Sequence, residues 1–554
     1  MTTVWPPQKA PRGGGVRYAE SIEGARRLPP GGPEFSRPNF SQPTGSEAFA
    51  QVLGLEHLQR IAGEQVSAMA TAQLPSLITW APSHNWPVTV YRRSHPRGRH
   101  VASGDKSTDT SARWLDFRHC MFVLTGMICA VGTLYGVQQF LWPVSHTPHT
   151  WEGTAWSAAS VVWLAAFVPA VAEFAGLLIY QHPRYPVTDQ HIPQFVCWRV
   201  VSRGTNTEAL SATILRCRTE MQATPLFRYI IEVVTDVANP SLPAPADDLA
   251  YLTVPESYRT GRGSLFKARA LQYAVEFSPL SAKAWIVHLD EETHPTESGI
   301  RGIAKMIDEE ERNGRLRIGQ GTILYHRSWG EHPFLTLADM PRTGDDLGRF
   351  HLAHRSGVTL FGLHGSYIVV RNDVEKQVGF DFGPIGSITE DAFWALASMV
   401  SGHRCRWVDG YMEEQSTQSV KDFMKQRRRW FQGIVKVCLH APVRLRWRFV
   451  LCISTLLWAL APISIGFTIV HFITGGYVNP LVTAMADTSF ASFIVTSLIG
   501  LRVNLTEHGI RNRAPRVAWS VAFLLCMPIF GMIEAGSVAY AILSPSTGFH
   551  VVKK

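Results

Sequence analysis

Five long apolar segments stand out along the chain, separated by stretches in which polar and apolar residues mix. They are Met121–Trp142, Trp156–Tyr180, Phe449–Thr474, Leu481–Leu501 and Val517–Leu543. Each reaches the roughly 20 residues needed to cross a ~30 Å hydrocarbon core. Buried helices of a soluble protein are the alternative, but Phe449–Thr474 carries no Asp, Glu, Lys or Arg. We therefore predict five transmembrane helices; Leu481–Leu501, with Asp487, is the weakest and could be re-entrant or interfacial.

Between the second and third apolar segments, short apolar runs alternate with helical patterns. The predicted strands are Gln194–Val201, Phe227–Val234 and Ala284–Leu289, and the predicted helices are Glu208–Met221 and Leu265–Phe277. Such alternation predicts an α/β fold, a mostly parallel sheet covered by helices on both faces. Ligands of these sheets bind at the carboxyl ends of the strands.

The N-terminal region has a different composition. Its first 50 residues hold 8 Pro and 7 Gly, which predicts a disordered tail. Glu47–Met69 has helical spacing, typical of a surface helix or of transient helix in a tail. No apolar stretch follows the start, so no signal peptide is expected.

These patterns predict four regions. They are a disordered tail over 1–112, two transmembrane helices over 113–182, a cytosolic domain over 183–445 and a C-terminal membrane region of about three helices over 446–554.

Composition and charge support this division. The chain is 46% hydrophobic and only 18% charged, against roughly 25% in soluble domains. Residues 1–113 carry +5 of the net charge of +9, and much of the remainder flanks the apolar segments, at 444–448 and 502–516; Arg113 and Arg118 precede the first segment, whereas 143–155 has no Lys or Arg. The positive-inside rule therefore places the N-terminus and central domain in the cytosol, at the plasma membrane or an ER or Golgi membrane. The basic excess faces lipid, and no nucleic-acid partner is expected.

Eight cysteines are scattered without a CxxC pair. A disulfide framework is not expected, and the soluble part should face a reducing compartment.

Carboxylates end two of the predicted strands. Asp236 closes EVVTD, and Asp290, Glu291 and Glu292 close HLDEE. A strand feeding D-x-E aims the first and third side chains the same way, which would give Mg²⁺ or Mn²⁺ two hard oxygen ligands beside a diphosphate. Solvated turns are the alternative, about equally common for such clusters.

The triplet Thr389-Glu390-Asp391 precedes the apolar helical pattern AFWALA. A carboxylate at a helix N-terminus in a cleft is a suitable general base for an acceptor hydroxyl, and we assign this role to Asp391. The alternative is a helix cap, which is the better interpretation for Glu390.

A Q-x-x-R-W pattern follows, formed by Gln426, Arg429 and Trp430. Arginine suits a diphosphate through paired hydrogen bonds, and tryptophan offers a stacking face to a sugar or base. A basic helix at the membrane surface is the alternative, and one helix can serve both purposes.

In this order, and flanked by transmembrane segments, the motifs resemble those of the membrane-integrated inverting glycosyltransferases of family 2, which include cellulose, chitin and hyaluronan synthases. VCWRVVSRG, VPESYRT, GSLFKARALQYAVE, HLDEET, ITEDAFWAL and QRRRWFQG together resemble the egghead-type β-1,4-mannosyltransferases, which in animals extend glucosylceramide from GDP-mannose. The resemblance runs from about residue 115 to the C-terminus. It implies a GT-A fold for the cytosolic domain.

The resemblance also implies roles for single residues. Asp236 would contact the nucleoside, Lys267 and Glu291 the donor, Asp290 and Glu292 a Mn²⁺ or Mg²⁺ ion. Asp391 would be the base with Glu390 beside it, and Gln426, Arg429 and Trp430 would hold the diphosphate and floor the acceptor site. The acceptor pocket would take in the residues Thr389, His364, Gly365 and Ser366, although a simple turn explains the last three equally well. The triplet departs from the polymer synthases, since it reads DEE where they have DxD.

The sequence thus predicts a metal-dependent inverting hexosyltransferase that moves mannose or glucose from a nucleotide diphosphate sugar to a lipid-linked or glycan acceptor. A processive polysaccharide synthase that secretes its polymer through the membrane helices is one alternative. A transporter or receptor with a cytosolic domain is another, but it leaves the ordered motifs unexplained.

Overall fold

A computed structural model describes residues 106–141, 151–183, 191–441, 443–475 and 478–545. The predicted tail lies outside these residues up to 105, as does the predicted helix Glu47–Met69. The first helix, α1, spans Lys106–Leu141 and so begins inside the stretch predicted as tail.

The second apolar segment forms helix α2 (Trp151–Ser160), a tight helical turn (Val161–Ala166) and helix α3 (Phe167–Ile179). Pro169 lies in the first turn of α3, where its missing N–H costs no hydrogen bond. The change of helical pitch therefore precedes the proline.

The domain that follows is built on one eight-stranded sheet. Its strands are β1 (Phe195–Ser202), β2 (Arg228–Thr235), β3 (Leu249–Thr253), β4 (Trp285–Asp290), β5 (His294–Pro295), β6 (Ile318–Leu324), β7 (Ile368–Arg371) and β8 (Cys405–Glu413). They lie in the order β3-β2-β1-β4-β7-β6-β8-β5. Neighbours are parallel except at β7, which runs antiparallel to β4 and β6, and at β5, which runs antiparallel to β8.

Nine helices complete the domain within the described residues. They are α4 (Thr207–Ala223), α5 (Phe266–Phe277), α6 (Glu297–Asn313), α7 (Pro333–Asp345), α8 (His351–Arg355), α9 (Asn372–Val378), α10 (Gly383–Gly386), α11 (Glu390–Val400) and α12 (Val420–His440). The mostly parallel sheet with helices confirms the predicted α/β, GT-A-like class. The three predicted strands and two predicted helices coincide with β1, β2, β4, α4 and α5 to within two residues at each end.

The sheet is buried on both faces, as expected for parallel strands. Alternate residues of β1 enter different cores: Trp198 and Val200 join one hydrophobic cluster, and Cys197 and Val201 join the other. The first cluster continues into Leu501 of the fourth apolar segment and further residues of the fifth. The α/β domain is therefore packed directly against the membrane helices.

The C-terminal region consists of α13 (Leu445–Ala459), α14 (Ala461–Thr474), α15 (Pro480–Glu507) and α16 (Arg513–Leu543). Helices α13 and α14 form one apolar span that breaks at Leu460, two residues before Pro462. In all, the described residues contain five helices or helix pairs long and apolar enough to cross a membrane, as predicted: Arg113–Phe140, Trp151–Ile179, Leu445–Thr474, Pro480–Glu507 and Arg513–Leu543.

Asp487, the polar residue that weakened the prediction of the fourth span, lies buried within α15. Gln138 of α1 donates a hydrogen bond of 2.7 Å to its carboxylate. The polar group is thus satisfied inside the helix bundle, and α15 is a single helix of 28 residues rather than a broken segment.

Helix α15 also attaches the α/β domain. A Cβ on Gly500 or on Gly344 of α7 would overlap the backbone of the other helix, so these glycines allow the close approach. Asn504 donates to Thr343 Oγ1 (2.9 Å) and accepts from the Tyr325 backbone N–H (2.7 Å). These contacts hold the carboxyl end of β6 and helix α7 on the membrane helix α15.

Candidate active site

The carboxyl ends of β1, β2 and β4 open into one cavity of about 1900 Å³. Asp236 follows β2, and Asp290 is the last residue of β4. Both line the cavity, as do the other predicted site residues: Lys267, Glu291, Glu292, His364, Gly365, Ser366, Thr389, Glu390, Asp391, Gln426, Arg429 and Trp430. Residues up to 194 positions apart in sequence are thus brought to one place.

Lys267 lies at the centre of this cavity. It projects from the first turn of α5, and its Nζ donates to the Asp290 carboxylate and to the Gly365 carbonyl (2.9 Å). Glu390 Oε1 is 3.5 Å away. Burial opposes the charge on Lys267, but Asp290 and Glu390 more than compensate, so the pKa of Lys267 stands above its ordinary value.

Glu390 and Asp391 begin α11, and Thr389 precedes them as the N-cap. The Thr389 side chain makes no capping hydrogen bond, and the Glu390 carboxylate, in the first turn of the helix, faces Lys267. Burial raises the pKa of Glu390 to about 7, although Lys267 opposes the shift. Burial likewise raises the pKa of Asp391, which makes it a stronger base than an exposed aspartate.

Gly365 marks the point where these groups converge. A Cβ built on it would lie 3.0 Å from Lys267 Nζ, 3.4 Å from Asp391 Oδ2 and 3.6 Å from Asp290 Oδ2. Any side chain at this position would enter the space between them. The His-Gly-Ser segment therefore borders the carboxylates, instead of forming only a remote turn.

The flanking residues of that segment are held by buried acids. His364 Nε2 lies 2.5 Å from Asp346 Oδ1, and Ser366 donates to Glu414 (2.5 Å). Gln320 accepts from the His364 backbone N–H (2.8 Å) and donates to the Ser366 carbonyl (3.1 Å).

The other strand-end acids differ in their partners. Asp236 pairs with Arg269 of α5 at 2.6 Å. The Glu291 carboxylate accepts from Ser202 (2.5 Å) and Asn206 (3.5 Å). The middle acid of the DEE triplet is therefore bound to the protein at the end of β1 and the start of α4.

The chemistry of Asp290 and Glu292 fits a divalent cation, since both present hard carboxylate oxygens to the cavity. The described residues contain no group of three or more His, Cys, Asp or Glu placed to hold a metal ion.

Helix α12 presents the Q-x-x-R-W residues and also Arg427 to the cavity, whereas Arg428 does not line it. Arg427 pairs with Asp339 (2.8 Å) and with Glu534 of α16 (3.1 Å). Arg428 donates to the Tyr540 hydroxyl (2.8 Å). Both arginines are buried, so they tie α12 to α7 and α16, which the picture of a basic helix lying on the membrane surface did not anticipate.

Sequence patterns missed several residues of the cavity. Arg342 stacks on the rings of Tyr325 (4.2 Å) and Trp430 (4.6 Å), and Arg349 pairs with Asp345. No spacing signalled them, because their partners come from distant parts of the chain.

The cavity extends from the carboxylates into the membrane region. Along the third span it follows a broad face, lined by Leu451, Ser454, Thr455, Leu457, Trp458, Leu460, Ala461, Ser464, Ile465, Thr468, Ile469, His471, Phe472 and Ile473. At 1.5 Å per residue this face measures about 30 Å, the thickness of a hydrocarbon core. Leu451, at its start, packs in one cluster with Ala392, the neighbour of Asp391.

Known proteins resemble this chain over most of its length. The model of glycosyl transferase family group 2 matches residues 285–533. Beta-1,4-mannosyltransferase egh of Drosophila melanogaster is 31% identical over 399 residues, which cover 69% of this chain and 83% of the fly protein. Beta-1,4-mannosyltransferase bre-3 of Caenorhabditis elegans is 30% identical over 460 residues, which cover 79% of this chain and 97% of the worm protein. Among solved structures, the mannosyltransferase PcManGT from Pyrobaculum calidifontis, in complex with GDP-Man and Mn²⁺, aligns with a TM-score of 0.39 and 12% identity over 71% of this chain and 100% of that one.

Proposed function

Because this chain belongs to glycosyl transferase family group 2, with β-1,4-mannosyltransferases as relatives over most of its length, we propose that it transfers mannose from GDP-mannose to a lipid-linked sugar, forming a β-linkage. Membership of this family means that the protein is an enzyme, a glycosyltransferase, rather than a transporter or receptor. UDP-glucose is the alternative donor of this proposal.

The convergence of Lys267, Asp290 and Asp391 around Gly365 carries the proposal. A base, a cation and a candidate metal ligand reach one small space from α11, α5 and β4. Inverting transfer requires a base on the acceptor side and positive charge on the leaving-group side of one carbon atom.

The reaction is a direct displacement. The acceptor hydroxyl oxygen attacks the anomeric carbon, and Asp391 takes the hydroxyl proton. The bond from that carbon to the diphosphate oxygen breaks, and its electron pair leaves with the nucleoside diphosphate. Lys267 and Arg429 would stabilise the leaving charge, while Gln426 and Trp430 position the substrates.

Asp290 and Glu292 would hold Mn²⁺ or Mg²⁺, which when bound supplies further positive charge to the diphosphate. Asp236 would contact the nucleoside, and Glu291 would support the donor site through Ser202.

The membrane part of the cavity supports a lipid-linked acceptor. A hydrocarbon tail would lie along the face of α13 and α14 that lines the cavity, and its sugar would then lie beside Asp391. The flanking arginines favour a cytosolic α/β domain, at the plasma membrane or an ER or Golgi membrane, where nucleotide sugars are available.

A donor screen tests this function. The protein in nanodiscs is heated with Mn²⁺ and GDP-mannose, UDP-glucose or UDP-N-acetylglucosamine, and the true donor is expected to raise the unfolding midpoint. EDTA should remove most of that shift. Radiolabelled transfer to glucosylceramide then checks the acceptor; no shift and no donor consumption with all three sugars would contradict the proposal.

A processive synthase is the second candidate, because the cavity follows the third span for about the full thickness of a bilayer. The length of the labelled product separates the two: single transfer adds one hexose, and processive synthesis gives a long polymer.

A further inference from the structure

Asp346 and His364 form a pair at the edge of the catalytic cavity. None of the sequence motifs contains both residues. Asp346 is 1% exposed. Its Oδ2 accepts from the Ile323 backbone N–H at 3.0 Å, and its Oδ1 lies 2.5 Å from His364 Nε2. The backbone of β6 therefore holds this carboxylate in place in addition to its contact with the histidine.

The His364 ring is held on its other sides as well. It packs against the Phe350 ring at a tilt of 35°, with ring centroids 4.8 Å apart, and its backbone N–H donates to Gln320. Because Nε2 is committed to Asp346, Nδ1 is the nitrogen left for a ligand. The ring lines the cavity, and the next residue is Gly365, beside Asp391.

We propose that Asp346 orients His364 so that His364 binds a hydroxyl of the acceptor sugar next to the one that Asp391 deprotonates. This inference rests on the proposed transfer reaction and adds a positioning residue, Asp346, to it. His364 touches the acceptor, and Asp346 acts through His364.

The electrostatics of the cavity support this role. Burial opposes a charge on His364, but Asp346 more than compensates, so the pKa of His364 stands above its ordinary value. Glu414 acts in the same direction as Asp346, and Arg342 opposes them. A protonated imidazole donates from both nitrogens, so Nδ1–H can serve a sugar oxygen while Nε2–H serves Asp346.

The membrane helices support the pair from behind. Asp346 begins an irregular turn, Asp346–Phe350, in which Gly348 departs from helical geometry. A Cβ on Gly348 would run into the Glu173 carboxylate of α3, and a Cβ on Gly176 would overlap the Gly348 backbone. The second membrane span therefore fixes the turn that carries Asp346.

Ligand-induced shifts of the unfolding midpoint test the inference without turnover. The protein in nanodiscs is titrated with GDP-mannose and, separately, with hexyl β-glucoside, β-galactoside and β-mannoside as acceptor probes. In Asp346→Asn and His364→Gln we expect affinity for the preferred glycoside to fall ~10- to 100-fold, the range for a lost hydrogen bond to a charged group. Affinity for GDP-mannose should stay within about twofold.

Two control variants, Glu310→Gln and Gly132→Ala, separate an effect on the position of His364 from a general loss of protein stability. Glu310→Gln alters another buried, paired carboxylate that does not line the cavity, and it should leave both affinities unchanged. Gly176→Ala should weaken glycoside binding in the same way as Asp346→Asn, whereas Gly132→Ala, where a Cβ meets no atom within 4 Å, should not.

The possible outcomes are distinct. Unchanged glycoside affinity in Asp346→Asn and His364→Gln overturns the inference, as does a wild-type protein that binds GDP-mannose and none of the glycosides. A wild-type protein that binds the glycosides through His364 and no nucleotide sugar keeps the pair and removes the proposed function.

Discussion

The ammonium group of Lys267 donates a hydrogen bond to the carboxylate of Asp290 at the end of β4. The ammonium group of Lys267, which we expect to bind the donor diphosphate, is therefore already held in place by Asp290, a candidate metal ligand. A bound diphosphate meets a preformed charge rather than a mobile side chain, which reduces the cost of ordering on binding.

Lys267→Met should weaken donor binding. The loss of one charge-assisted hydrogen bond predicts a ~10- to 100-fold rise in the Kd for GDP-mannose, and Lys267→Arg should recover part of it. Titration of the protein in nanodiscs measures this. Lys305→Met removes a lysine paired with Asp409 outside the cavity and serves as the control. Equal donor affinity in Lys267→Met and Lys305→Met would contradict the assignment.

Asp391→Asn should abolish most transfer while the donor still binds. An amide cannot accept the acceptor proton, and general base catalysis is worth ~10²- to 10⁴-fold. The rate of labelled transfer and the Kd for GDP-mannose are measured on the same preparation. Asp373→Asn, which alters an aspartate paired with Arg371 far from the cavity, should keep both. Near-normal turnover in Asp391→Asn would contradict the assignment of Asp391 as the general base.

Glu390 should make the stability of the protein depend on pH. Its pKa is about 7 in the folded protein, above the 4.5 of an ordinary glutamate, so the folded state binds this proton more tightly. The stabilisation is full below pH 4.5 and is lost as the pH rises through 7. Without donor or metal, the temperature of the unfolding midpoint should therefore decrease as the pH rises from 5 to about 8.

Glu390→Gln should flatten this fall, because a glutamine does not titrate. Glu276→Gln, at an exposed glutamate of α5, should keep the wild-type curve. Parallel curves for the wild type and Glu390→Gln would show that Glu390 does not titrate in this range.

Arg199 should contribute strongly to the stability of the folded protein. This arginine of β1 is fully buried and pairs with Glu232 and Glu375, each at 2.6 Å. Arg199→Met leaves two buried carboxylates without their cation, which predicts a loss of ~3–5 kcal/mol. Denaturant unfolding measures it, and adding Glu232→Gln and Glu375→Gln should restore much of the loss. Arg218→Met, at a partly exposed pair, should cost less than ~1 kcal/mol. Equal losses at both arginines would contradict the prediction.

The parts of the fold that the sequence predicted are those with strong local patterns. The apolar spans and the largely apolar strands β1, β2 and β4 give such patterns, and Asp236 and Asp290 follow directly from where β2 and β4 end. Strand β8 was missed because its sequence, CRWVDGYME, places apolar residues in adjacent pairs around Asp409-Gly410, although burial alternates from Val408 to Glu413 in the structure. The antiparallel direction of β7 is set by its partners, which no local pattern encodes.

The site was predictable only as far as its motifs reach. Lys267, Asp290 and Asp391 were identified, and the structure brings them together. Asp346 and Arg342 were not, because their roles depend on neighbours that the chain folds against them. The burial of Arg427 likewise depends on Asp339, 88 residues away, and on Glu534, 107 residues away.

The cavity face along α13 and α14 determines which concentration of the acceptor would govern the reaction rate. A lipid that reaches Asp391 along this face comes from a two-dimensional pool, so its supply is set by its mole fraction in the bilayer and not by its molarity in the assay. Diluting such an enzyme into more lipid at constant total acceptor would slow it, while diluting the vesicles in buffer would not. The saturation constant of this protein is then a property of membrane composition.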